Sequence, residues 1–269
     1  MSKTKKILLW TSAVVLTCII AFYQRTTGPT YPIKGKVDIS GSTVDFKLLR
    51  SQTCGSQAQI NIIAADKSIG GEYIYKRFKS HDTLTRKALT RSGDTLIAKL
   101  PELAPAGKVQ YQIEVSKNDK KLKLDEEPVV LRYKGDVPAY ILIPHIILMF
   151  ASMLFGARAM FEAFYKGEKT YKYSLWSAIL LFIGGLIVGP FVQYFAFGAF
   201  WTGWPFGGDM TDNKTLAALI FWAVAAYKLK KNNADYKWAI IAFAAMLIVY
   251  LIPHSVLGSE IDYTKIPNN

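Results

Sequence analysis

Apolar residues are spread along this chain in three ways, and each predicts a different kind of element. Residues 7–23 (ILLWTSAVVLTCIIAFY) form an uncharged run of 17 behind Lys3, Lys5 and Lys6, the pattern of a signal peptide or a signal anchor. The residues before Cys18, Val15-Leu16-Thr17, fit a lipoprotein cleavage site poorly, and no convincing small-x-small site follows. The expectation is a retained transmembrane anchor, with residues 1–6 as a cytoplasmic N-terminus.

From Lys34 to Tyr133 the period changes to two. Val44, Phe46 and Leu48, then Ala58, Ile60 and Ile62, then Val109, Tyr111, Ile113 and Val115 alternate with polar residues, as half-buried strands do. Turn signals at Ser40-Gly41, Gly70-Gly71, Ser92-Gly93-Asp94 and Asn118-Asp119 separate them. That spacing predicts roughly seven to nine strands over residues 31–134, an antiparallel β-sandwich. The stretch LAPAGKVQYQIEV (103–115) resembles the turn and strand of fibronectin type III and immunoglobulin-like domains in which Leu, Pro and Gly precede a Tyr. The resemblance implies an immunoglobulin-like fold with Tyr111 as the tyrosine-corner residue. It departs by an extra residue between Pro105 and Gly107, lacks paired cysteines and implies no activity.

The third pattern is a set of apolar stretches at about 139–165, 174–200, 215–229 and 236–257, a four-helix membrane domain over 138–257. At 1.5 Å per residue each can cross a hydrocarbon layer of about 30 Å, the third by borrowing a first turn from Asp212-Asn213. Lysines orient them by the positive-inside rule. Lys166, Lys169 and Lys172 fill one loop and Lys228, Lys230, Lys231 and Lys237 another, whereas loop 201–213 has no Lys or Arg and the tail 258–269 only Lys265. The fold class expected is therefore a membrane α-helical bundle of five crossings, one of them the N-terminal anchor, with an inserted extracytoplasmic all-β immunoglobulin-like sandwich. The N-terminus is placed in the cytoplasm of a cytoplasmic (inner) membrane, and the sandwich and C-terminus outside, in the periplasm. Gly189-Pro190 should kink the third crossing, and Ser152-xxx-Gly156 and Gly185-xxx-Gly189 allow close helix packing.

Charge changes this picture little. The formal charge of +13 would suit nucleic acid, but ten of the 33 basic residues are the flanking lysines just named with Lys3, Lys5 and Lys6, which are topology signals. No nucleic-acid partner is expected. Cys18 lies in the anchor and Cys54 in the β segment, so they cannot pair within one chain.

Chemistry is sparser. Asp209, Asp212, Glu260 and Asp262 are four of the seven acidic residues outside residues 24–137, all on the expected outer side. The loop WTGWPFGGDMTDNKT (201–215) adds three aromatics among turn formers; interfacial anchoring accounts for the tryptophans but not for the carboxylates. The tetrapeptide Leu-Ile-Pro-His occurs twice, at 142–145 and 251–254. Counted from their lysine-flanked ends, His145 and His254 reach depths that agree within roughly 5 Å. Two imidazoles level with carboxylates can hold a transition metal, or haem b between them; the alternative is that each Pro-His marks a helix end and bonds a freed carbonyl. His145, His254, Asp209, Asp212 and Glu260 are the candidate metal ligands. Arg158 and Glu162 form an i, i+4 pair expected to snorkel toward headgroups. His81-Asp82 is isolated, and no Walker sequence, hydrolase elbow or metal-spaced Cys/His cluster occurs.

The motifs TGWPFGGDMTDNKT and LIPHSVLGSEIDY resemble a group of uncharacterised polytopic bacterial membrane proteins. The resemblance covers roughly 137–263, implies that the bundle and its outer motifs are one unit, and attaches no function. The functional expectation is a non-enzymatic envelope component whose sandwich engages a protein partner while the bundle sits in membrane lipid. The alternative is a metal- or haem-binding membrane protein with an outer-face site, redox activity being one use of it.

Overall fold

The computed structural model describes residues 2–253, 258 and 260–265. The chain forms two compact units, Met1–Pro29 with Val137–Gly258, and Thr30–Asp136 with Ser259–Asn269.

The first unit is helical: α1 (Lys3–Thr27), α2 (Ala139–Phe164), α3 (Thr170–Leu181), α4 (Gly189–Phe197), α5 (Met210–Lys231) and α6 (Lys237–Leu251). A π-helical segment, Phe182–Val188, joins α3 to α4 without a break. Three stretches are long and apolar enough to cross a membrane, Lys3–Thr27, Ala139–Phe164 and Thr170–Phe197; α6 is a shorter apolar helix.

The anchor is packed as a member of the bundle. Leu9, Ala13, Thr17 and Ile20 make one buried stripe on α1, the i, i+4 spacing of a single helix face, while Ile7, Leu8, Val15, Ile19 and Phe22 stay exposed. Trp10 meets Phe155 and Tyr173 edge-on at 5.5 and 5.6 Å, and Gln24 donates to Tyr250 O at 3.0 Å. Small residues bring α2 against its neighbours. Ser152 Oγ donates to Ser177 O and Ser177 Oγ to Ser152 O at 2.8 and 2.9 Å, a reciprocal interhelical pair. A Cβ at Gly156 would stand 2.8 Å from the fully buried Trp222 ring.

The interruption expected at Gly189-Pro190 is a π segment that ends there. Proline has no N–H to donate and its ring collides with the carbonyl four residues back. The ladder widens ahead of it, and Gly189 N–H bonds Gly184 O, five residues back. Gly184 and Gly185 allow that wider turn to pack: a Cβ on the first would lie 2.8 Å from Leu148 Cβ, and on the second 2.6 Å from Thr215 Cγ2.

The second unit holds eleven strands among the described residues: β1 (Ile33–Ile39), β2 (Ser42–Leu48), β3 (Ser51–Thr53), β4 (Gln59–Ile63), β5 (Gly70–Arg77), β6 (Thr85–Ala88), β7 (Thr90–Ser92), β8 (Thr95–Lys99), β9 (Lys108–Lys117), β10 (Lys120–Lys123) and β11 (Val129–Lys134). They form two sheets, ordered β1-β2-β4-β8-β7 and β3-β11-β9-β5-β6, with β10 on β9. One core lies between them: Val44, Leu48, Ile60, Ile62 and Leu96 from the first sheet, and Tyr73, Tyr111, Ile113, Leu131 and Tyr133 from the second. The period-two positions of β9 alternate part-exposed and buried from Lys108 to Ser116.

Three local expectations are corrected. The pairing of β3 with β11 is parallel, so the sheets are not wholly antiparallel. Gly70-Gly71 is no turn: both lie in β5, where a Cβ at Gly71 would collide with Glu114 O and Val115 Cα, so glycine serves close strand approach. The Tyr111 hydroxyl donates to Leu49 O at 2.8 Å, 62 residues upstream. A tyrosine corner bonds backbone only a few residues away, so this side chain ties β9 to the chain after β2 instead. The extra residue before Gly107 is absorbed by Ala106, which adopts φ 67°.

Candidate functional site

The loop between α4 and α5 is built on two carboxylates. Gly198, at φ 82°, ends α4 in the left-handed conformation with its N–H on Tyr194 O, the usual glycine stop. Phe200 then stacks on Tyr194 with centroids 4.4 Å apart. Asp209 caps α5, its Oδ1 accepting from Thr211 N at 2.8 Å. Asp212, one turn in, reaches back over the loop: its Oδ2 accepts from Thr202 N at 2.7 Å and Gly203 N at 3.0 Å. Thr202 Oγ1 lies 3.3 Å from Asp209 Oδ2 and 3.4 Å from Asp212 Oδ2, and Gln193 Nε2 donates to it at 2.5 Å. Asn213 Oδ1 takes Trp204 N at 2.6 Å. Both aspartates are buried.

Glycine is required where these groups converge. A Cβ at Gly203 would stand 2.6 Å from Asp212 Cβ, and one at Gly207 would collide with Thr202 O. The carboxylates therefore hold the loop itself. Bonds from the backbone N–H groups of Thr202, Gly203 and Thr211 to these carboxylate oxygens fix the turn. Lys214 is also buried and directs Nζ to Ile252 O at 2.7 Å and Pro253 O at 3.4 Å, where carbonyls are left over at the end of α6.

The five candidate ligands are distributed as follows. Asp209 and Asp212 share Thr202, as described. His145 Nδ1 lies 2.9 Å from Gly184 O; a carbonyl can only accept, so Nδ1 carries the proton. This is the carbonyl bonding weighed for the histidines, and it falls on the π segment rather than on a helix end. Glu260 belongs to the β-rich unit, where Lys79 and Lys108 donate to its two oxygens. His254 lies outside the described residues. Among the described residues no group of three or more His, Cys, Asp or Glu side chains is placed to hold a metal ion.

Around Glu260 the tail is fastened to its own unit. Ile261 N donates to Ala106 O at 3.2 Å, and Tyr263 lies under the Arg77 guanidinium, 4.6 Å from centroid to carbon. Arg77 in turn makes two 2.7 Å bonds to Asp82, which hold that carboxyl down to about 2. So Asp82, isolated in sequence, is half of a bidentate pair beneath the tail.

Arg158 and Glu162 pair as expected, at 2.6 Å, but do not snorkel. Their side chains are 1% and 4% exposed, because Trp10 and Tyr173 cover the guanidinium at 5.6 and 4.6 Å. The residues missed from sequence are the partners: Thr202 and Gln193 at the loop, Gly184 at His145, and Trp10 and Tyr173 at Arg158. Gln193, a lone amide inside an apolar helix, was the one legible signal among them.

No protein-family model matches this chain, and no curated protein matches it in sequence.

Proposed function

We propose that the chain is an inner-membrane protein of five crossings that carries an immunoglobulin-like sandwich on the outer side, where the sandwich binds a protein partner of the envelope. Three long apolar helices and a packed α1 support retention in the bilayer. The asymmetry of lysines, with none in loop 201–213, supports the orientation. α5 and α6 complete the five crossings on this reading, since Trp222, Ala225, Ala242 and Met246 are buried with α2 and α1 residues in one core.

The observation that carries a binding role is a groove on the open face of the second sheet. Glu72, Ile74 and Gln112 line it with Glu114, Arg86 and Lys123. Glu72 and Glu114 stand directly opposite each other on β5 and β9, an arrangement that like charges make unfavourable. Arg86 and Lys121 offset it from neighbouring strands. A concave, mixed-charge surface that includes the part-exposed Ile74 suits a transient protein interface, which mixes polar and apolar groups. Enzymatic chemistry has no comparable support among the described residues.

Site-specific photocrosslinking in intact cells tests this reading. A crosslinker at Gln112 should yield a discrete adduct with a second protein, and one at Asn61, exposed on the other sheet, should not. Equal adducts from both positions, or none from Gln112, would overturn it.

A further inference from the structure

The lysine-rich end of the helical unit carries a second polar site. A cavity of about 320 Å3 is floored by Arg158 and Glu162 and walled by Tyr173, Lys5, Lys6 and Lys169, which places it at the lower end of the roughly 300–1,000 Å3 typical of small-molecule pockets. The start of α1, the end of α2 and the start of α3 therefore converge on it. Gly167 lets the loop close over Glu162, since a Cβ there would collide with the carboxylate.

Arg158 is the informative group. Nη2 stands 2.6 Å from Glu162 Oε2, whereas Nε and Nη1, and that carboxylate oxygen too, are buried without a partner in hydrogen-bonding geometry. Leaving donors of a charged group unsatisfied away from water is costly, and a single carboxylate does not match the charge of the site. Lys166 and Glu168 complete the lining, so five cations face two carboxylates. Lys5, over the Tyr165 ring at 3.7 Å, is held at the mouth.

We propose that this cavity binds a phosphate group of an anionic ligand, with Arg158 supplying donors at the floor and Lys5, Lys6 and Lys169 the charge at the rim. Guanidinium donors suit phosphate oxygens. The ends of apolar helices lie at headgroup depth, where basic pockets between membrane helices receive anionic lipid heads; a soluble phosphate compound offers the same chemistry from water. The inference depends on α1, α2 and α3 crossing a membrane, and not on the sandwich or its partner.

The test is thermal unfolding of the full-length protein in neutral detergent with added phosphatidylglycerol, phosphatidylcholine or inorganic phosphate. Arg158→Gln breaks a buried pair and can weaken the bundle by itself, so the triple variant Lys5→Gln/Lys6→Gln/Lys169→Gln, confined to the rim, is measured alongside. A rise in Tm of several degrees with phosphatidylglycerol over phosphatidylcholine, at least halved in the triple variant, identifies a lipid headgroup. The same pattern with inorganic phosphate identifies a soluble ligand. Absence of both responses, or responses that the triple variant leaves unchanged, would overturn the proposal.

Discussion

Tyr111 shows how far a single position could be read. Its burial followed from the alternation of β9, but its partner did not, because a hydroxyl bond to Leu49 depends on how the chain returns after β2. Burial drives the phenol far above its ordinary range, so it is a neutral donor at any physiological pH. Tyr111→Phe should cost the β-rich unit about 1 kcal/mol, the usual net worth of one such bond. Urea unfolding of residues 30–136 expressed alone measures it, and an unchanged midpoint would show that the hydroxyl is not a structural tie. The same limit applied to Asp209, Asp212 and His145: their polarity in apolar surroundings marked them, whereas the groups they bond are mostly backbone N–H and C=O, which carry no sequence signature.

At the scale of elements, hydrophobic periodicity carried most of the reading. The helices lie close to the apolar stretches, and the turns at Ser40-Gly41 and Gly93 appear as positive-φ positions. Glycine misled at Gly70-Gly71, since the residue that makes a turn cheap also lets two strands close up. The tail was harder still. Its carboxylate reads as an outer-face ligand when only depth is considered, yet Glu260 is bound by lysines from the turn after β5 and from β9. Burial works to raise the Glu260 carboxyl, but the bonds from Lys108 and Lys79 outweigh it and hold the group below its usual range. A depressed carboxyl stabilises above its unfolded pKa of about 4.3 and loses that contribution as pH falls through the folded value. Below about pH 4 the tail should therefore loosen. Glu260→Gln should reproduce the effect at neutral pH, accelerating hydrogen exchange at the Ile261 amide by roughly tenfold, a figure tempered by the partial exposure of Lys79. Exchange at Ile261 that is indifferent to both changes would mean that the backbone bond and Tyr263 hold the tail unaided.

For the whole molecule, composition separates a water-soluble segment from a lipid-soluble one, and the two units follow that division except at the tail. The basic cavity was not legible, because Lys5 is far in the chain from Arg158 and Lys169 and each has an ordinary explanation by itself. We propose an orientation of five crossings, with the β-rich unit and loop 201–213 outside. Cysteine labelling in sealed cells tests it most directly. In a Cys18→Ala/Cys54→Ala background, single cysteines are introduced at three exposed positions, Ser92, Phe206 and Asn232, and treated with a membrane-impermeant maleimide. Ser92→Cys and Phe206→Cys should label from outside and Asn232→Cys only after the membrane is opened. Labelling of Asn232→Cys in sealed cells, or protection of Phe206→Cys, would contradict the account.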